Sequence, residues 1–506
     1  MSLGRSHRGA LSIAVLCTAI AVCATAAPVQ SAEAGPAKAK QQRKKERLRE
    51  LRRRNIKQKR PNVVVIATDD QNVDDMFVMP LTLELLGGGG TTFKNSYVSY
   101  PLCCPSRATF LTGQYAHNHG VISTDLPNGY NGLDHSNTLA VWLRRAKYRT
   151  AMVGKYLNGY GLNDGIPEPG SDAREIPAGW SEWFGLTGGT DQKRWNYKLN
   201  ENGKVHNYGR GARNYVTDVL SSKVNDLLKR WTPRPKPFFM YFNPTAPHGE
   251  SGTPFLSTRD PEPAPRHLGR FGDITAPRGD NFDEANVNDK PDLVRELPRL
   301  SSEQLADLDR RYRGRLESLL SVDEEVARIV NLVRKYGDKR KTFFVFTSDN
   351  GLELGAHRIM FKDYLYEEGE RVPLIIRGPG IPQGAVRDQL VSNIDLAPTI
   401  LEITRAQPGR AIDGISLLPL ATDPSVGANR DLLFESFDFG IFGIRRGPWV
   451  YNQYDNGDEE LYNLDTDPYE LTNLLFGPNA SNHAATKGQL AARLAQLKRC
   501  AGVSCR

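Results

Sequence analysis

Cysteine is scarce in this chain. There are six in 506 residues, and two of them, Cys17 and Cys23, fall in an apolar stretch at the amino terminus. A small scaffold held together by disulfides is thereby excluded. Long apolar runs are lacking as well: Ala10 to Ala24 is short for a bilayer span, and no later segment approaches ~20 uninterrupted apolar residues. No internal repeat is evident. The chain is 39% apolar and 9% aromatic, with a quarter of its residues charged, which suits a soluble globular protein with a sizeable core. That balance argues against a coiled coil, a collagen or a wholly disordered chain. The length calls for one large domain plus a smaller one.

A basic surface over the whole body is also absent. The 66 Lys and Arg against 58 Asp and Glu give +8, but the excess sits in one place. Residues 36–60 carry thirteen Lys or Arg against Glu46 and Glu50, or +11, and residues 1–35 carry +1. Taking both from +8 leaves −4 for residues 61–506. A nucleic-acid-binding body is therefore not expected. The 28–60 stretch reads as a solvated basic linker. The sharper reading is a polyanion contact through 36–60, to sulfated glycans or anionic wall polymers.

Residues 1–27 read as an export signal: Arg5 and Arg8 precede the apolar run, and Ala24-Thr25-Ala26 offers small residues for cleavage. The alternative is a retained anchor, but a stop-transfer pattern is missing. A secreted, extracellular protein with no membrane span after signal removal is expected. Of the remaining four cysteines, Cys500 and Cys505 close a short loop and are expected to pair in an oxidising compartment. Cys103 and Cys104 are adjacent, far from that pair, and need another explanation.

Short runs of β-branched and aromatic residues, at Val63–Ala67, Thr150–Val153, Phe238–Phe242, Phe343–Thr347 and Leu374–Ile376, predict strands buried on both faces. Helical patterns lie between them at Thr138–Ala146, Tyr215–Trp231, Arg313–Tyr336 and Asp395–Ile403. The alternation predicts an α/β fold: a large mixed, mostly parallel sheet sandwiched by helices. The stretch Gly249–Pro298, rich in Pro, Asp and Arg, reads as a surface excursion able to shape a substrate site. After about Leu417 the pattern shifts to short strands, Gly440–Arg445 and Trp449–Asn452, and a polar helix at Thr486–Lys498. We divide the chain into a signal peptide (1–27), the linker (28–60), a catalytic domain (61–417) and a C-terminal α+β subdomain with an antiparallel sheet (418–506).

The first predicted strand ends in Asp69-Asp70, and the strand Phe343–Thr347 leads into Ser348-Asp349-Asn350-Gly351. Ligands in such sheets collect beyond the carboxyl ends of the strands. Asp69, Asp70, Asp349 and Asn350 converging there would make a hard oxygen cage for Ca²⁺ or Mg²⁺. One Asp at a strand end is usually a cap or turn residue; two such ends in one sheet favour a metal. Before a helix-like stretch stands Cys103-Cys104-Pro105-Ser106-Arg107. A buried thiol pair or a vicinal disulfide would account for the cysteines alone. The pattern C-x-P-S-R, however, arises by chance in roughly one chain of this length in a thousand.

That pentapeptide, with Leu111-Thr112-Gly113-Gln114-Tyr115 after it, resembles the type I sulfatases, members of the alkaline phosphatase superfamily. So do Pro61–Ile66 with Asp69-Asp70, Gly154-Lys155-Tyr156-Leu157-Asn158, Ala246-Pro247-His248, Ser348–Gly351, Leu365–Glu368 with Arg371-Val372-Pro373, and Glu460–Leu464. Cys103–Arg107, Ala116-His117-Asn118-His119-Gly120 and Lys155–Asn158 look most like the N-acetylglucosamine-6-sulfatase branch.

The resemblance implies that Cys103 is oxidised by a formylglycine-generating enzyme to Cα-formylglycine. Its hydrate, beside one calcium ion, displaces an alcohol from sulfur and then expels sulfate. It implies Asp69, Asp70, Asp349, Asn350 and the modified Cys103 as calcium ligands. Arg107, Lys155 and Lys362 hold the sulfate oxygens, and His248 or Lys362 protonates the leaving oxygen. One departure matters: Leu157 stands where many arylsulfatases carry the histidine that acts as base in the elimination. His117 and His119 are candidates for that task, or else bond structurally behind the nucleophile turn; His357 orders a loop or touches substrate. Tyr and Trp residues between Tyr156 and Trp195 could line a sugar cleft, but such aromatics are more often core.

The function implied is a secreted sulfatase acting on a sulfated sugar or aryl sulfate, with 6-O-sulfate on N-acetylglucosamine-type sugars foremost. The alternatives are a broad arylsulfatase, a phosphate or phosphonate monoester hydrolase on the same scaffold, and an inactive polyanion-binding surface protein.

Overall fold

The run Val63–Ile66 is wholly buried at the centre of a sheet in the computed structural model of the chain. The structure describes Gln42, Glu46 and residues 60–162, 171–250, 261–337, 341–427 and 430–506. The segment read as an export signal lies outside these residues, as does the linker apart from Gln42, Glu46 and Arg60.

In chain order the first strands are β1 (Asn62–Thr68), β2 (Thr91–Phe93), β3 (Ser96–Tyr97), β4 (Arg149–Gly154), β5 (Glu182–Thr187) and β6 (Tyr197–Glu201). Then come β7 (Lys204–Tyr208), β8 (Phe238–Asn243), β9 (Thr342–Ser348), β10 (Leu374–Arg377), β11 (Ala385–Arg387) and β12 (Val391–Ser392). The last four are β13 (Asp431–Ser436), β14 (Ile441–Arg446), β15 (Trp449–Tyr454) and β16 (Glu459–Asn463).

Ten of these form one mixed sheet in the order β11-β2-β10-β9-β1-β8-β4-β5-β6-β7. Its centre, β9-β1-β8-β4-β5, is all parallel, whereas β10, β6 and β7 run antiparallel to their neighbours. Alternate residues of β1 face two cores. Val63, Val65 and Ala67 join one with the helices Leu139–Arg145 and Leu396–Thr404. Val64 and Ile66 join the other with Val216–Trp231 and the long helix Ser302–Tyr336. Burial on both faces is why these strands read as continuous apolar runs rather than alternating ones.

The four-stranded antiparallel sheet β13-β14-β15-β16 packs with the helix Ala484–Leu497 around Leu433, Ile444, Tyr451 and Leu461. Cys500 and Cys505 form a disulfide, as their spacing predicts. Cys103 and Cys104 are both free thiols, so the vicinal disulfide is not formed. The described part of the 249–298 stretch is mostly turns, with one short helix at Asp292–Arg295. Among the described residues, no helix is long and apolar enough to cross a membrane.

Candidate active site

Four adjacent parallel strands, β9, β1, β8 and β4, deliver their carboxyl ends to one edge of the sheet. Asp69 and Asp70 follow β1, Asp349 and Asn350 follow β9, Lys155 follows β4, and His248 lies five residues beyond β8. The strand ends are tied together: Asp349 N donates to Thr68 O at 3.1 Å and Gln71 N to Ser348 Oγ at 2.9 Å. Asp70 takes a left-handed φ of 66°, which turns the chain so that the two neighbouring carboxylates reach the same space. Gly154 has φ 120°, and a Cβ there would meet Asn243 O at 1.8 Å. Only glycine permits this crossing, which sets Lys155 over the sheet edge.

Cys103 opens the helix Cys103–Thr112, and all ten residues of that helix are buried. Its amino terminus places partial positive charge where an anion would sit. Pro105 stands in the first turn, where a missing N–H costs nothing. Ser106 Oγ bonds Asp349 O and accepts from Asn393 Nδ2, which locks the helix to the end of β9.

The structure brings every predicted site residue together. Lys362 Nζ lies 2.8 Å from Cys103 Sγ and pairs with Asp70 Oδ1. Lys155 Nζ is 2.8 Å from Asp69 Oδ2, and Arg107 pairs with Asp349 Oδ2 at 2.7 Å and approaches Asp69 at 3.6 Å. His248 Nε2 is 3.5 Å from Asp70 Oδ2. Three carboxylates thus face three fixed cations in a buried site, with imidazole at the edge.

Burial raises the carboxyls of Asp69 and Asp70, but the cations around them win and hold both below the usual range. Asp349 goes the other way: burial, with Asp69 and Asp70 adding, pushes it up to about 6 despite Arg107. Burial also pushes the Cys103 thiol up to about 12, against the pull of Lys155 and Lys362. An unmodified Cys103 is therefore a neutral thiol at pH 7, a weak nucleophile. Burial lowers His248, with Lys155 and Lys362 adding to the effect and Asp70 and Asp69 opposing it.

A cation fits these residues. Ligand atoms of Asp69, Asp70, Cys103 and His248 all lie within 4.8 Å of one another, the one such group among the described residues. Asn350 Oδ1 is buried with no hydrogen-bond donor, an orphan that a cation would satisfy. Asp349 divides its oxygens between Arg107 and the N–H groups of Asp70 and Asn350.

The histidines considered for the base are engaged elsewhere. His117 bonds Glu435 and Cys500 O, and His119 bonds Thr109 and Val121 N. His357 is buried, 2.7 Å from Glu284 and stacked on Tyr366, so it orders its loop. Tyr156, Tyr160, Trp180 and Trp183 form a buried aromatic cluster in the core.

Sequence reasoning missed two buried arginines. Arg315, on the long helix, donates to Asp70 O at 2.6 Å, and Arg194 donates to the loop carrying His248. Neither stands in a motif, and nothing in the sequence sets Arg315 apart from Arg310, Arg311 and Arg313, or Arg194 from Lys193.

A buried cysteine at a helix start, a group of side chains that a cation fits and three cationic side chains at one sheet edge suit a hydrolase of tetrahedral, anionic esters. The sulfatase family description matches residues 61–406, and that of the N-sulphoglucosamine sulphohydrolase C-terminal region matches residues 355–500. The human N-acetylglucosamine-6-sulfatase is 33% identical over 498 residues, covering 88% of this chain and 86% of that protein. A putative extracellular sulfatase Sulf-1 homolog of Caenorhabditis elegans is 33% identical over 373 residues, 71% of this chain and 49% of that one. A solved structure of a protein with its substrate D-glucosamine-2-N,6-O-disulfate superposes with a TM-score of 0.70. It is 25% identical, and the match spans 87% of this chain and 98% of that one. The chain belongs to the sulfatase family, and as such it is a sulfuric ester hydrolase.

Proposed function

We propose that the protein removes 6-O-sulfate from N-acetylglucosamine-type sugars of sulfated glycans, using Cys103 oxidised to Cα-formylglycine beside one calcium ion. The observation that carries this is the placement of Cys103 within reach of Lys362, Asp69 and the cation cage. The substrate class follows from the 6-sulfated glucosamine ring shared by the human relative's name and the substrate of the solved structure.

At position 103 a hydrated aldehyde would supply one hydroxyl to form the S–O bond as the alcohol leaves, and a second that, on losing its proton, would re-form the C=O bond and release sulfate, a step open to neither Ser nor Cys. Asp69, Asp70, Asp349, Asn350 and residue 103 would hold the calcium ion, which would supply charge that lowers the pKa of the attacking hydroxyl. Arg107, Lys155 and Lys362 hold the sulfate oxygens and balance charge as it shifts. Their three positive charges match the three carboxylates, so a bound divalent ion leaves the pocket cationic and suited to an anionic ester. His248, whose side chain keeps 12% exposure, gives its proton to the leaving oxygen. Lys362, which Asp70 and its neighbours hold well above its ordinary value despite burial, keeps its proton.

Supporting residues 61–417 as the catalytic domain, 418–506 as the C-terminal subdomain and an export signal at 1–27, the same reading makes the protein extracellular. A formylglycine-generating enzyme is then its obligatory modifying partner, and the basic segment 36–60 a contact for polyanionic substrate. The test is the mass of the tryptic peptide spanning Cys103, measured beside turnover of N-acetylglucosamine-6-sulfate. A peptide lighter than the thiol form, and a Cys103→Ala variant without turnover, are expected. Full activity with an intact thiol would overturn the mechanism.

A further inference from the structure

Arg194 follows β5 in the connection to β6, has no solvent exposure, and directs both of its terminal nitrogens to one loop, while Nε is buried without an acceptor. Nη1 donates to Thr245 Oγ1 at 2.7 Å and to Gln192 O at 3.0 Å; Nη2 donates to Thr245 O at 3.0 Å and to His248 O. Three of the four acceptors lie on the segment 245–248, which begins two residues after β8 and ends at the imidazole facing Asp70. Burying a guanidinium is costly unless its donors are used. A planar fork that grips both ends of a four-residue loop fixes the loop's orientation, which a single lysine amine cannot do.

We propose that Arg194 is a positioning residue that holds the His248 imidazole in its working place. This rests on the reading of His248 as the acid that protonates the leaving oxygen. The chemistry separates such a role from general structural support. A sugar alcohol is a poor leaving group and needs the proton, whereas an activated phenol departs without it. Loss of alignment at His248 should therefore slow cleavage of a sugar sulfate far more than cleavage of 4-nitrophenyl sulfate.

The experiment uses the full, modified chain and both esters, with Arg194→Lys, His248→Ala, the double variant, and Thr245→Val, which removes only the side-chain acceptor. Thermal melts confirm that each variant folds. General acid catalysis is typically worth 10²–10⁴-fold. On that scale His248→Ala should lose roughly 100-fold in kcat on N-acetylglucosamine-6-sulfate, and Arg194→Lys about 10-fold. Thr245→Val should lose less in the same direction, and in each variant the fall in 4-nitrophenyl sulfate turnover should be clearly smaller than the fall on the sugar sulfate. In the His248→Ala background, Arg194→Lys should cost nothing further. Losses that multiply in the double variant would overturn the proposal, as would a harmless His248→Ala beside a damaging Arg194→Lys. Coupled losses of equal size on both esters would keep Arg194 as the positioning residue and reject the acid role of His248 instead.

Discussion

Lys362 Nζ lies 2.8 Å from Cys103 Sγ, a contact between residues 259 apart in the chain, and the same amine pairs with Asp70. One buried cation thus touches both the proposed nucleophile position and a carboxylate of the proposed metal site. Asp363 N donates to Pro101 O at 3.2 Å, which ties the lysine's loop to the residues just before the nucleophile. Lys362→Ala should lower kcat by about 10²–10³-fold, the range for removing one donor that stabilises developing charge. The loss should be similar for sugar and aryl sulfates, since the sulfate group is common to both. Steady-state kinetics on the two esters check this; a variant that cleaves either ester at the wild-type rate would remove Lys362 from the site.

Arg315 reaches the cage from behind. Its Nη2 donates to Asp70 O at 2.6 Å, to Asp75 Oδ2 at 3.0 Å and to Asn72 Oδ1 at 3.2 Å. These bonds hold the left-handed turn at Asp70. Partners behind a metal ligand typically contribute 10–100-fold to metal affinity. Arg315→Lys should therefore move the midpoint of calcium-dependent thermal stabilisation to roughly 10-fold higher free calcium, with activity restored at saturation. An unchanged midpoint in an EGTA-buffered titration would show that the turn holds without the guanidinium.

The central sheet could be read from the chain because β1, β4, β8 and β9 are buried on both faces and give unbroken apolar runs. The ends of β1 and β9 carried Asp69-Asp70 and Asp349-Asn350 in plain view. β2, β5, β6, β7 and β11 were missed: β2 and β11 are three residues each, and β7 is largely exposed with a polar pattern. The long helix begins at Ser302 rather than Arg313, because Ser301 and Gln304 form a capping box ahead of an Arg- and Asp-rich turn with few apolar residues. That β10 is antiparallel was not legible, since burial on both faces fixes a strand's place and not its direction. The bonds from Arg194 to His248 O and from Arg315 to Asp70 O end on backbone carbonyls, and a carbonyl leaves no mark in a sequence.

Glu325 lies on the long helix, buried, taking hydrogen bonds from Asn225 at 3.2 Å and Arg328 at 3.0 Å. Burial pushes its carboxyl up to about 8 from an ordinary 4.5, with Arg328 opposing. Between these values the folded protein holds a proton that the unfolded chain has released, so stability falls as pH rises through that window and levels off above it. Glu325→Gln keeps the neutral shape without the titration. Its melting temperature should match wild type near pH 5 and exceed it by roughly 3 °C at pH 8.5. Calorimetry at the two pH values decides; an equal offset at both would mean that Glu325 does not titrate in this range.

His117 joins the segment after the nucleophile helix to the carboxyl terminus. Its Nδ1 is 2.6 Å from Glu435 Oε1 and its Nε2 is 2.9 Å from Cys500 O, beside the Cys500–Cys505 disulfide. Both partners are acceptors, so both ring nitrogens must donate, which only the imidazolium can do. Burial lowers its pKa, but the hydrogen bond and charge of Glu435 outweigh burial, and the net direction is up. A raised histidine contributes stability that is complete below its ordinary value of 6.5 and is lost as pH rises through the folded value. The neutral ring can donate to only one of the two acceptors and loses its charge attraction to Glu435, so the loss falls on the contact between Ala116–His119 and the terminal disulfide loop. His117→Gln cannot take up the proton. Wild type should therefore exceed it in melting temperature by about 2 °C at pH 5.5, and the gap should close by pH 9. A gap that stays constant across that range would show His117 to be neutral in the fold, with Cys500 O satisfied by Asn118, which donates to it at 2.8 Å.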